Sequence, residues 1–345
     1  MSSKKRRKRS SVNPDSQSVE DYVAGQLNGS DAGFIAQMGN WMRHIRNAWN
    51  GFWFRKSMPH TLGLMRILVG SMLVYTHVVW TLGLSAFLSP GGMIPDSYRY
   101  LVFDRSSSAW SLLDWFSTPG ALMTVHWVCV AVLVMFMLGL FTRVTAVFSW
   151  LIVVSYANRA TGALFGLDQI NAFLVMYLMI GNCGGAYSLD NWLRKRKGRA
   201  GESPLMTSDV LTNVATRLIQ VHLCIVYLFA GTGKLQGSTW WNGEAIWGAL
   251  ASYEYQTMDM TWLADYMWIV NLITLVSITW ELFYPFLIWH RLTRPVFIAL
   301  AVMIHLGIGA SMGMMTFGLI MVYANMAFIE PATTKRCLSY LRIAQ

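Results

Sequence analysis

Apolar residues run along this chain in long blocks separated by short polar breaks. Runs at about 59–88, 121–141, 143–158, 163–182, 212–234, 263–290, 294–311 and 313–329 approach the roughly 20 residues with which an α-helix crosses hydrocarbon. The pattern predicts an all-α polytopic bundle of about eight transmembrane spans over 59–331. Ahead of it Phe34, Ile35, Met38, Trp41, Met42, Ile45, Trp49, Phe52 and Trp53 recur at three- and four-residue steps, with Arg43, His44, Arg46 and Asn47 between them. This predicts an amphipathic helix over 34–58 lying in the headgroup region. Residues 1–33 are too polar to fold and read as a disordered basic tail, 183–210 as a basic linker and 332–345 as a second tail.

Composition narrows the class. Of 345 residues, 54% are hydrophobic and 13% charged, against roughly 25% charged in soluble domains, so a soluble globule is excluded. The net charge of +10 would point to nucleic acid in a soluble protein, but here it is sided. With the N-terminus inside, 21 of the 27 Lys and Arg fall on the cytoplasmic side of the predicted spans, as the positive-inside rule requires. The expectation is a multi-pass plasma-membrane protein with both termini cytoplasmic, membrane lipids as partners and no nucleic acid. The basic run Lys4 to Arg9 leads into a polar stretch rather than an apolar core, so no cleavable signal peptide is expected. Cys129, Cys183, Cys224 and Cys337 stand alone, so neither a disulfide frame nor a metal site is signalled.

Charges inside the spans are costly, at about 2.5–3.5 kcal/mol at a helix centre, and each needs a partner or an exit. Arg66 and Arg217 lie near the cytoplasmic ends of spans one and five and could snorkel to headgroups. Glu281 lies nine residues before His290, about 13 Å by helical rise and the depth counted for Arg217. The expectation is a structural pair of Glu281 with Arg217 or Arg66. On span five Arg217, Gln220, Cys224, Tyr227, Gly231 and Lys234 share one arc at helical spacing. Span six carries Asn271, Thr274, Ser277 and Glu281 on one side. Two such stripes face to face would make a hydrogen-bonded helix interface or the wall of an outward-facing cavity.

Lys234 ends the first stripe. Gly231-Thr232-Gly233-Lys234 suggests a phosphate loop, but Leu228 and Leu235 occupy the places of its first glycine and its hydroxyl, which rejects that reading. A lysine there serves as a base only where its surroundings disfavour the ammonium form; otherwise it caps the helix and meets headgroups.

The stretch from Arg217 to Leu235, followed by Trp240-Trp241-Asn242-Gly243-Glu244-Ala245, contains a Tyr-x-x-Ala-Gly-x-x-Lys-Leu-x-x-x-x-Trp core. With Tyr187-Ser188-Leu189-Asp190, Trp280 to Pro285, and His305, it resembles the HTTM family, which includes the vitamin K-dependent gamma-carboxylases, over about 59–331. The resemblance implies that Lys234 corresponds to the base that deprotonates a reduced quinone, whose reaction with oxygen yields a base strong enough to take a glutamate gamma proton before carbon dioxide adds. Two departures separate the chain from the carboxylases: Thr161 stands where an ungapped match puts their catalytic histidine, and the chain ends about 15 residues after its last apolar run, so their large soluble region is expected to be missing. Chains of this size also resemble the sporulation-delaying protein B type, implicated in maturation of a secreted peptide toxin.

Two classes of function stay open. One is an enzyme acting on a quinone-like or peptide substrate, with Lys234 as base, Tyr227, Trp240 and Trp241 as walls and Glu244 as a proton or substrate contact. The other is a non-catalytic membrane partner of lipid, quinone or a secreted peptide.

Overall fold

The computed structural model describes residues 19–89, 91–93, 110–196, 207–255 and 257–340, the side chains of 19–33, 35 and 161 excepted. The basic run at 4–9 lies outside them, as does the side chain of Thr161. The described residues are helical apart from turns, loops and one isolated β-bridge between Ser57 and Asp209.

The chain divides into two compact units, residues 1–52 and 53–345. The first is dominated by α1 (Val19–Trp53), which begins well ahead of residue 34. The sequence assigned 19–33 to a tail because the segment is polar, yet Val19, Tyr22, Val23 and Leu27 keep a helical step and Glu20 and Asp21 favour a helix start. Farther along α1, Phe34, Met38, Trp41, Met42, Ile45 and Trp49 are exposed.

The second unit contains α2 (His60–Trp80), α3 (Leu84–Leu88), α4 (Pro119–Leu138), α5 (Thr142–Arg159), α6 (Gly166–Ile180), α7 (Leu189–Arg196) and α8 (Val210–Lys234). It continues with α9 (Ser238–Trp241), α10 (Ala245–Leu250), α11 (Met267–Leu287), α12 (Arg294–Ser311), α13 (Met315–Asn325) and α14 (Pro331–Tyr340). Each of the eight apolar runs is helical, and they differ in length. Among the described residues, α2, α4, α8, α12 and α11 with the turn Thr261–Tyr266 before it are long and apolar enough to cross a membrane, with a sixth if Met315–Phe328 and α14, bent by 116°, form one broken span. The α6 helix has 15 residues, a rise of about 22 Å, and α5 is diluted by Arg143, Thr145, Ser149, Ser155 and Asn158. The chain is thus a multi-pass membrane protein with shorter helices packed among its spans.

Local chemistry sets the helix ends. Pro119 occupies the first position of α4, Thr118 Oγ1 accepts from Ala121 N, and Gly139 closes the helix in the left-handed conformation at φ 71°. The start of α5 borrows its cap: the Asp190 carboxylate accepts from Phe141 N and Thr142 N, each at 2.8 Å, and from Thr142 Oγ1 at 2.7 Å. In lipid no water is expelled when helices meet, so close van der Waals packing holds them. A Cβ at Gly70 would lie 2.8 Å from Met137 Cα, and α2 packs along α4, α5 along α6, α8 along α11 and α12 along α13.

The second unit has two unlike ends. Backbone bonds between Ser57 and Asp209, the Thr61 Oγ1–Thr334 Oγ1 contact at 3.1 Å and the Arg294–Glu330 pair at 3.6 Å gather one end. Arg55, Lys56, Arg143, Arg194, Lys195, Arg196, Arg291, Lys335 and Arg336 lie on the segments that meet there. Residues 331–340, expected as part of a tail, are a helix packed on α2, and the expected linker holds α7. At the other end lie the described parts of two connections, 81–89, 91–93 and 110–118 in the first and 235–255 and 257–266 in the second, with Asp114, Glu244, Glu254, Asp259 and Asp265.

Candidate functional site

Lys234 is the last residue of α8, and it meets Glu281 on α11. Its Nζ donates to Oε1 and Oε2 at 2.6 Å each. This corrects the expected pairing of Glu281 with Arg217 or Arg66. Counting depth inward from each helix's cytoplasmic end assumed that those ends are level, but α8 and α11 are staggered. Gly231 faces Glu281, where an added Cβ would lie 3.2 Å from the glutamate Cβ, and α8 continues past the end of α11 until Arg217 sits beneath Trp289, 5.8 Å from its ring centroid. Arg217 also donates to Gln220 Oε1 at 2.9 Å.

Arg66 does not snorkel. It is 0% exposed, and its guanidinium donates to Cys183 O at 2.7 Å, Tyr187 O at 2.5 Å, and Ala186 O and Met137 O at 3.4 Å. It ties the 183–187 turn to α2 and to the end of α4.

The two polar stripes diverge. On α8 the stripe is packed inward, with Gln220 Nε2 donating to Ala327 O at 2.7 Å. On α11, Thr274 Oγ1 accepts from Ile246 N at 3.3 Å, and the Asn271 amide nitrogen, oriented to satisfy both groups, donates to Gly243 O at 3.0 Å and Met267 O at 3.2 Å. These side chains pin the α9–α10 segment against α11, whereas Glu281 turns to α8. At the level of Tyr227 the two helices are closely packed: its ring meets Trp280 edge-on and Tyr284 at a tilt, with centroids 4.7 and 4.4 Å apart.

The other predicted site residues separate into contacts and bystanders. Trp240 places its ring 5.2 Å from Lys234 Nζ, a distance for cation–π attraction. Trp241 is 67% exposed and donates from Nε1 to Leu235 O at 2.8 Å. Glu244 is exposed at the start of α10 and its side chain caps nothing. Tyr227 is buried beneath the ion pair, and its hydroxyl accepts from Asn325 Nδ2 at 2.9 Å while Asn325 Oδ1 accepts from Tyr284 at 2.6 Å. His305 completes the aromatic floor, 5.8 Å from Tyr227 and 6.0 Å from Trp280, and its Nδ1 donates to Ala301 O at 2.8 Å.

Sequence reasoning missed Asn325. Its signal was available, as a lone amide inside the last apolar run, where a polar side chain needs a partner. The assembled site is an ammonium held by a carboxylate, an indole beside it and a hydrogen-bonded aromatic floor beneath. Lys234 is 26% exposed and Glu281 13%, so the pair is sheltered yet reachable. Chemically it can exchange a proton internally and present either partner to a polar group.

The HTTM domain family matches residues 54–332, which contain every residue of this site. No curated protein and no solved structure matches the chain.

Proposed function

Since this chain belongs to the HTTM family, we propose that Lys234 and Glu281 form an acid–base centre that acts on a quinone-like or peptide substrate in carboxylase-like chemistry. The observation that carries this reading is the two-oxygen grip of Glu281 on Lys234 at 2.6 Å, in a pair that the packing leaves partly open. An ammonium already holds its proton, so Nζ must release one before it can act as a base, and Glu281 is the acceptor within reach. Transfer from Nζ to a carboxylate oxygen gives a neutral amine beside a carboxylic acid. The amine then accepts a proton from a substrate hydroxyl, and the renewed ammonium faces the oxyanion it has made.

The reduced quinone implied by the family suits this donor set: Lys234 and Glu281 would hold a hydroxyl and Trp240 the ring. When bound, it would supply with oxygen the strong base on which carboxylation depends. The basic end of the bundle supports a placement with that end and both termini at the cytoplasm of a bacterial plasma membrane and Lys234 on the outer side.

The test is addition of a reduced naphthoquinone to the purified protein under oxygen. Consumption above background is expected from the native chain and is lost in Lys234→Ala and Glu281→Gln when equal amounts of folded protein are compared. Equal consumption by the native chain and Lys234→Ala would overturn the base role. The close packing of α8 on α11 favours a second reading, in which the pair is a clasp and the protein binds lipid, quinone or a secreted peptide without chemistry, as in assisting peptide maturation. Quinone retention without consumption is its signature.

A further inference from the structure

At the basic end, away from Lys234, a cavity of about 230 Å³ opens between the start of α5, the end of α6, the 181–184 turn and α7. Its walls have two characters. Val144, Leu178 and Met179 give an apolar side, while Arg143 and Arg194 approach from α5 and α7. Asp190 also lines it, but its oxygens are engaged by Phe141 N, Thr142 N and Thr142 Oγ1. Behind the turn stands Arg66, bonded to Cys183 O at 2.7 Å. Three arginines against one engaged carboxylate leave the cavity positive.

We propose that this cavity is a binding site for the phosphodiester headgroup of an anionic phospholipid, with an acyl chain leaving over the Val144, Leu178 and Met179 wall. The arginine pair supplies the forked donors that suit phosphate oxygens, and basic pockets between membrane helices are where such headgroups lodge. A lipid fits better than a free anion because the charged and apolar walls share one cavity. The α7 helix also carries Trp192, 52% exposed, with the Arg196 guanidinium 5.3 Å from its ring, a pairing suited to headgroup depth. The proposal is independent of the acid–base reading of Lys234.

The test is native mass spectrometry of the full chain released from detergent after addition of phosphatidylglycerol or of phosphatidylcholine with the same acyl chains. Preferential retention of one phosphatidylglycerol is expected. Arg143→Gln with Arg194→Gln lowers that preference about thirtyfold, the effect of two arginines near a membrane surface. Lys335→Gln with Arg336→Gln, on α14, leaves it unchanged. Both arginines are exposed, and a melting curve of each variant confirms folding, while Met179→Trp offers a second route by filling the cavity without changing charge. Equal retention of the two lipids, persistence of the preference in the arginine double variant, or displacement by inorganic phosphate as efficient as by lipid would each overturn the assignment.

Discussion

Arg66 and Lys234 are both cations drawn into the bundle, and their partners differ in kind. Arg66 is enclosed and answered by backbone carbonyls of 137, 183, 186 and 187. Lys234 is partly open and answered by one carboxylate and one indole. A carbonyl neither takes a proton under ordinary conditions nor moves without its helix or turn, so the first arrangement fixes a fold. A carboxylate can accept a proton and change partners, so the second can take part in a cycle. The contrast teaches that the partner of a buried charge, more than its depth, separates scaffold from chemistry.

The comparison breaks most readily at Arg66. Arg66→Met should lower stability by more than about 4 kcal/mol, because several buried carbonyls lose their donor at roughly 1–3 kcal/mol each, and thermal unfolding in detergent will measure it. Arg66→Lys should not rescue it, since one ammonium lacks the planar fork that reaches several acceptors; a stable lysine variant would contradict the enclosure. At the other site Lys234→Met or Glu281→Leu alone should cost about 2–4 kcal/mol by leaving a charge without its partner, and the double variant should return to within about 1 kcal/mol of the native chain while remaining inactive. Neutral single variants would mean that the pair is well solvated. The smallest effect sharpens the contrast: Trp240→Leu should cost about 0.5–1 kcal/mol in stability and change the reaction with quinone far more than the melting temperature.

Much of this was legible in the sequence. The apolar runs located the long helices of the second unit, and the sided Lys and Arg foreshadowed a bundle with one basic end. Helix length was less legible, because an apolar run does not distinguish a membrane-length helix from a 15-residue one such as α6. The site was half legible: the helical step from Arg217 to Lys234 marked one face of α8, but the partner of Glu281 depends on the axial stagger of two helices, which no residue pattern records. Arg66 was opaque for another reason, since its acceptors are main-chain oxygens and any residue types could have provided them. Glu244 looked suitable by type and neighbourhood, yet the Gly243 turn, at φ 79°, leaves its side chain outside.

The reach of Arg66 also sets an order of events during synthesis. Met137 O, 71 residues farther along the chain, is made first, but the carbonyls of 183, 186 and 187 lie 117 to 121 residues beyond Arg66, which at about 5–20 residues per second takes roughly 6–24 seconds to make. Throughout that interval the Arg66 guanidinium lacks three of its four carbonyl acceptors, and the α5 start likewise waits for Asp190. The amino-terminal half is therefore not a finished piece by itself: residues 183–190 complete the contacts of both helices when they emerge.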